Sequence, residues 1–159
     1  LNKINLRFII LCNNLEVASI PALGVPNHPL KTIIINIDVD NYRLSRTIHH
    51  EIFHVINDQF SELFDYDEWR NFNSKVFEYK TCSTCTDKFG MELLADKKGF
   101  LTEYSQSTAG EDMAETFSFL MIKNSEIKKI VQDDIILKKK IRYIKSNILL
   151  IDQNFKFTL

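Results

Sequence analysis

The residues most able to do chemistry lie in one short run, His50-Glu51-Ile52-Phe53-His54, an HExxH pattern. Four residues make about one helical turn, so both imidazoles leave the same face, with Cβ atoms about 6 Å apart. That spacing lets one Zn²⁺ bridge the two rings at about 2.0–2.1 Å per Zn–N bond. Glu51 then stands beside the metal, placed to take a proton from an activated water. The competing reading is a surface helix with two solvated histidines.

Such a motif needs a helix anchored on one side and open on the other. Leu44, Ile48, Ile52, Phe53, Val55, Ile56 and Phe60 fall on about half of a helical wheel; Thr47, His50, Glu51, His54 and Asn57 occupy the rest. Residues 42–60 therefore read as an amphipathic helix with the motif on its polar stripe. Residues 4–12 alternate and are rich in branched side chains, and 31–37 (KTIIINI) are stronger still, so both read as strands. The 31–37 strand, or its neighbour, is the candidate edge for holding an extended peptide by main-chain hydrogen bonds; plain core sheet is the rival reading. Residues 19–29 hold all three prolines and Gly24 and read as an irregular connection.

Further along, Trp69, Phe72 and Val76 suggest a short helix within 65–77. Residues 79–98 read as a loop, with a short helix at 91–95. Residues 107–123 predict a second strong helix. Residues 125–151 predict helix with Ile127, Ile130, Val131, Ile141, Ile144 and Ile148 inward and the lysine run 138–140 as a solvated face.

A catalytic zinc takes three protein ligands and keeps an open position. Asn57 and Phe60 occupy the places that an extended HExxHxxGxxH pattern would fill with Gly and His, which excludes that solution. His28, in a proline-flanked loop, reads as a surface histidine. Glu111 and Glu115, four apart on one helical face, offer an alternative: one carboxylate on the metal, the other accepting the N–H of a ligand histidine. Thr108 with Glu111 also fits a capping box, in which case Glu115 would be an exposed acid. Tyr104 carries a phenol that stays protonated near neutral pH and can donate to an oxyanion; its rival role is packing. His49 lies in the apolar arc and reads as a core histidine bonded to a neighbour, or as a support for the ligand histidines.

The bulk properties set limits. A chain of 159 residues predicts one domain, 1–159, able to bury a core. Hydrophobic residues make up 45% and charged ones 26%, which places it among globular chains. A net charge of −1 gives no basic field for nucleic acid. The longest apolar stretches are too short to span a membrane. No leader pattern opens the chain, and it begins with Leu1 rather than Met, which leaves a longer precursor open. Cys82 and Cys85 could form a local disulfide, a thiol pair or half of a metal site; no second CxxC accompanies them, and Cys12 has no assigned role.

The blocks HHEIFHV (49–55) and GFLTEYSQSTAGEDMAETF (99–117) resemble a family of bacterial zinc-binding metallopeptidases of the gluzincin type, in which glutamate is the third ligand. The order of HExxH, tyrosine and glutamate helix is more distantly similar to the catalytic domain of anthrax lethal factor. The resemblance implies an α+β, zincin-like fold: a small β-sheet preceding the HExxH helix, then a mainly helical C-terminal half. It implies His50, His54 and Glu111 as Zn²⁺ ligands, Glu51 as general base, Tyr104 as transition-state donor and Glu115 as the acid behind a ligand. It also implies hydrolysis of a peptide or protein substrate and an extracellular or cell-surface location; a monomer is expected. Met113 stands where the family usually has an aromatic, and the Cys82–Cys85 insertion matches nothing in the family pattern. A zinc hydrolase of another amide or ester and a zinc-stabilised binding module without activity stay open as alternatives.

Overall fold

The branched run at residues 31–37 does become the central strand of a small sheet. The computed structural model describes residues 3–94 and 98–157, and among them five strands precede five α-helices. The strands are β1 (Phe8–Cys12), β2 (Glu16–Val17), β3 (Ile20–Pro21), β4 (Gly24–Asn27) and β5 (Thr32–Asn36). β5 lies between β1, which runs parallel to it, and β4, which runs antiparallel. β2 and β3 form a separate hairpin whose turn residues, Ala18 and Ser19, both have positive φ (50° and 66°). Two positive φ values are what a two-residue hairpin turn demands if its arms are to share the strand twist.

Residues 19–29 are more regular than their prolines suggest. Pro21 sits in a hairpin arm and Pro26 in β4, at the edge of the sheet. A missing N–H is tolerated at a sheet edge, so proline there leaves the ladder intact. β1 starts later than residue 4 and is open to solvent: Phe8 and Leu11 are 63% and 58% exposed.

Asp40 starts the longest helix, α1 (Asn41–Gln59), by accepting the Arg43 N–H at 2.9 Å. Its apolar half splits between two neighbours. Leu44, Ile48, Ile52 and Val55 pack on Ile33 and Ile35 of the sheet, while Phe53 and Ile56 enter the larger helical core. Burial of a side chain such as Phe53 contributes about 1.5–3 kcal/mol. α2 (Tyr66–Arg70) is shorter than the 65–77 pattern suggests, and residues 91–94 form no helix; residue 95 lies outside the described residues. α3 (Ala109–Ile122) packs against α1 and buries Met113, Phe117 and Leu120.

The expected helix over 125–151 is two: α4 (Asn124–Ile130) and α5 (Ile135–Ile151). The break falls where Asp134 caps α5 through the Leu137 N–H at 2.9 Å. Lys138 and Lys139 are solvated, but Lys140 is fully buried. It stands three residues past Leu137 and four before Ile144, on the inward stripe, and meets an internal carboxylate. The architecture is thus α+β, a small sheet first and a mainly helical C-terminal half.

Candidate metal centre

One turn of α1 and one turn of α3 supply the site. His50 and His54 leave α1 on one side, and their Nε2 atoms lie 3.1 Å apart. From α3, Glu111 Oε2 comes to 2.9 Å from His50 Nε2 and 3.3 Å from His54 Nε2. The capping bond foreseen at Thr108 also forms, its hydroxyl accepting the Glu111 N–H at 3.2 Å. The two readings of Glu111 do not compete: its N–H completes the cap, and its carboxylate faces the histidines.

Glu115, one turn further, is fully buried rather than exposed. Its Oε1 lies 2.8 Å from His50 Nδ1 and also accepts from Arg46 Nη2; its Oε2 accepts the Thr102 hydroxyl at 2.9 Å. An ionised carboxylate only accepts, so Nδ1 donates to Glu115, and Nε2, facing Glu111 and His54, is the nitrogen that would hold a cation in place of its proton. Burial pushes the Glu115 carboxyl up, but the Arg46 guanidinium and His50 outweigh it and hold the group below the usual range. Glu111 is likewise held well below that range, because the charges and hydrogen bonds of His54 and His50 outweigh burial.

Glu51 lies on the same face of α1 and is buried; one of its oxygens, Oε2, has no hydrogen-bond partner. Burial raises its pKa, with His50 and His54 pulling it back only in part. Strand β4 passes so near that a Cβ on Gly24 would meet Glu51 Cγ at 2.6 Å and Oε1 at 2.7 Å. Tyr104 comes in from a short 3₁₀ turn (Tyr104–Gln106), its ring centroid 6.1 Å from that of His50. Burial, reinforced by Glu111, pushes its phenol up, so the hydroxyl keeps its proton across the neutral range. The Ser83 side chain bonds to it from the loop closed by the Cys82–Cys85 disulfide. His50, His54, Glu111, Glu51, Tyr104, Arg46, Ser83 and Gly24 line one cavity of about 520 Å³; Glu115 and Thr102 do not.

The donors fit a divalent ion. In a tetrahedral site with bonds of about 2.0–2.1 Å, neighbouring donors stand about 3.3 Å apart; the three atoms here are separated by 2.9, 3.1 and 3.3 Å. The carboxylates of Glu51, Glu111 and Glu115 all act on His50, with the Arg46 guanidinium beside Glu51 and Glu115. Burial opposes charge on His50, yet Glu111 and Glu115 lift its pKa to about 10. The surroundings call for positive charge where the lone pairs meet. Among the described residues, His50, His54 and Glu111 are the group of His, Cys, Asp and Glu able to hold a metal ion.

The family model described as "putative zinc-binding metallo-peptidase" matches residues 23–152. The chain belongs to that family. Zn²⁺ is accordingly the expected cofactor. Among solved structures, it is similar to a putative zinc-binding metallo-peptidase from Bacteroides caccae, at 17% identity and a TM-score of 0.46. That likeness covers 77% of this chain and 47% of the other, so the present chain spans about half of that relative's length. No curated protein matches the sequence.

Four residues of the site, Arg46, Thr102, Ser83 and Gly24, are not singled out as site residues by the sequence, although Thr102 lies in the 99–117 block and Ser83 between the paired cysteines. Arg46 stands one turn before His50, a spacing that could have flagged it; the other three are brought in by tertiary packing. His28 pairs with Asp58 at 3.3 Å on the surface, and His49 is half-buried with its ring edge toward Phe117 at 6.5 Å.

Proposed function

We propose that the protein is a gluzincin-type peptidase, a single zincin-like domain that hydrolyses peptide bonds. The observation that carries this reading is the convergence of three donor atoms, 2.9–3.3 Å apart, beside a buried carboxylate with a free oxygen. His50, His54 and Glu111 would hold the zinc. When bound, the ion supplies Lewis acidity, which acidifies water and polarises a carbonyl oxygen. Glu51 takes the proton on its free carboxylate oxygen and returns it to the leaving amine nitrogen. Its raised pKa, caused by burial, favours both steps near neutral pH. Tyr104 Oη donates to the carbonyl oxygen as charge builds there. Glu115 fixes the His50 tautomer through Nδ1, and Arg46 and Thr102 hold Glu115 in place.

The peptide would lie along β4. β5 is paired on both sides, so the neighbouring strand, not 31–37 itself, has the free edge beside the cavity. An extracellular or cell-surface setting is part of this proposal, supported by the Cys82–Cys85 disulfide, which persists in oxidising compartments. Among the described residues, no helix is long and apolar enough to cross a membrane.

The test combines metal analysis with a peptide-library digest. Zinc bound at one per chain and chelator-sensitive cleavage are expected. Turnover of small amides or esters with peptides left intact would point instead to another class of zinc hydrolase. Bound zinc without any hydrolysis would leave a zinc-stabilised binding module.

A further inference from the structure

The cavity above the donors is lined unevenly. Its floor carries the ionisable groups: His50, Glu51, His54, Glu111 and Arg46. Arg46 is ion-paired with Glu115 and its Nη1 reaches Met91 Sδ at 3.3 Å, while its Nε has no partner. The walls are different. Val17 and Ile20, beside the turn of the β2–β3 hairpin, line the cavity with Val25 of β4; Phe89 and Met91 line it as well, with the Phe89 ring centroid 6.4 Å from that of Tyr104. Val17, Ile20 and Phe89 are 47%, 45% and 45% exposed, large apolar side chains with no cover of their own. The polar wall residues are the neutral Thr47, Ser83 and Thr84.

We propose that these walls form a specificity pocket that takes a bulky aliphatic or aromatic side chain of the substrate, next to the scissile bond. The inference rests on the hydrolase reading above and adds the substrate class. Three observations support it. The apolar groups flank the candidate metal donors within one cavity of about 520 Å³, large enough for a side chain of leucine or phenylalanine size. The walls carry no charge that could pair with a lysine, arginine, aspartate or glutamate, and desolvating such a charge without a partner is costly. Finally, the apolar groups come from separate segments, a hairpin, β4 and the loop following the Cys82–Cys85 bridge, and meet in that one cavity.

Two measurements on the zinc-loaded protein test this. In the first, a mixed peptide library is digested and the cut sites are read by mass spectrometry. Cuts next to Leu, Ile, Met or Phe should outnumber cuts next to Asp, Glu, Lys or Arg by about tenfold or more, the range an apolar pocket supplies. In the second, amino-acid hydroxamates are titrated against the protein by calorimetry, which requires no turnover. Leucine and phenylalanine hydroxamates should bind about tenfold tighter than the aspartate and lysine forms. Phe89→Asp and Val17→Asp, both at half-exposed positions, should each shrink that difference to about threefold or less while zinc content stays unchanged. Cleavage without side-chain preference, or a preference for charged residues, overturns the pocket and leaves hydrolysis standing. Selective hydroxamate binding with no cleavage overturns hydrolysis and leaves the pocket standing. Hydroxamates that bind alike, or variants that keep the full preference, overturn the pocket.

Discussion

Helix α3 carries two buried carboxylates three residues apart, Asp112 and Glu115, and their surroundings differ in a way that separates support from chemistry. Asp112 Oδ2 accepts from Trp69 Nε1 at 2.9 Å, Tyr79 Oη at 2.5 Å and Lys140 Nζ at 2.6 Å. Lys140 also donates to the Gly99 carbonyl at 2.6 Å. One negative charge meets one positive charge, and the donors are engaged inside the core. Glu115 is engaged as fully, by Arg46 and His50 on Oε1 and by Thr102 on Oε2, whereas Asp112 Oδ1 is left without a partner inside the core. What differs is that the His50 ring leads from Glu115 to Nε2, which faces Glu111 and His54 at the cavity. Buried charge alone is therefore no mark of a site. A buried charge that leads to groups facing a cavity is.

Four experiments would break or sharpen that contrast. The largest effect belongs to Glu51→Gln, which should lower peptide turnover by about 10²–10⁴-fold while zinc stays bound; turnover at the unmodified rate would remove Glu51 from the chemistry. Next comes Lys140→Ala, expected to cost about 3–5 kcal/mol in denaturant unfolding because Asp112 is left buried and alone. Replacing Asp112 and Lys140 together by Leu and Met should recover most of that loss, and neither form should change zinc stoichiometry once folded. Chelation should then lower the unfolding free energy by about 2.7 kcal/mol relative to protein with free zinc at about 100 times its Kd, an effect to be read as a concentration-dependent Tm. The smallest change is Glu115→Gln, which should weaken zinc binding by about 10–100-fold through the freed His50 ring. A loss of fold instead of affinity would put Glu115 in the same class as Asp112.

The site was more legible in the sequence than its frame. His50 and His54 are one turn apart, so local geometry alone puts them together, and the same rule pairs Glu111 with Glu115. That the two pairs meet is a tertiary fact, and here the family resemblance supplied what spacing could not. Lys140 shows the opposite case. Within a run of three lysines its solvation looked safe, but the inward stripe of α5 and the buried Asp112 decided otherwise. Residues 19–29 misled for a related reason: proline argues against a central strand, and whether a strand is central is set by its neighbours, not by its own residues. The break before α5 did carry a local signal, the cap at Asp134, which the continuous isoleucine periodicity concealed.

Gly24 has a consequence for anyone wanting an inert but intact form of this protein. The backbone of β4 runs so close to α1 that a single methyl group at position 24 would intrude within 3 Å of Glu51 and Thr47 side-chain atoms. Ala in that place would act as a built-in steric plug, pushing the proposed base aside while leaving His50, His54 and Glu111 unchanged. Sequence drift at this position would disturb Glu51 while every hallmark of its motif still read as functional.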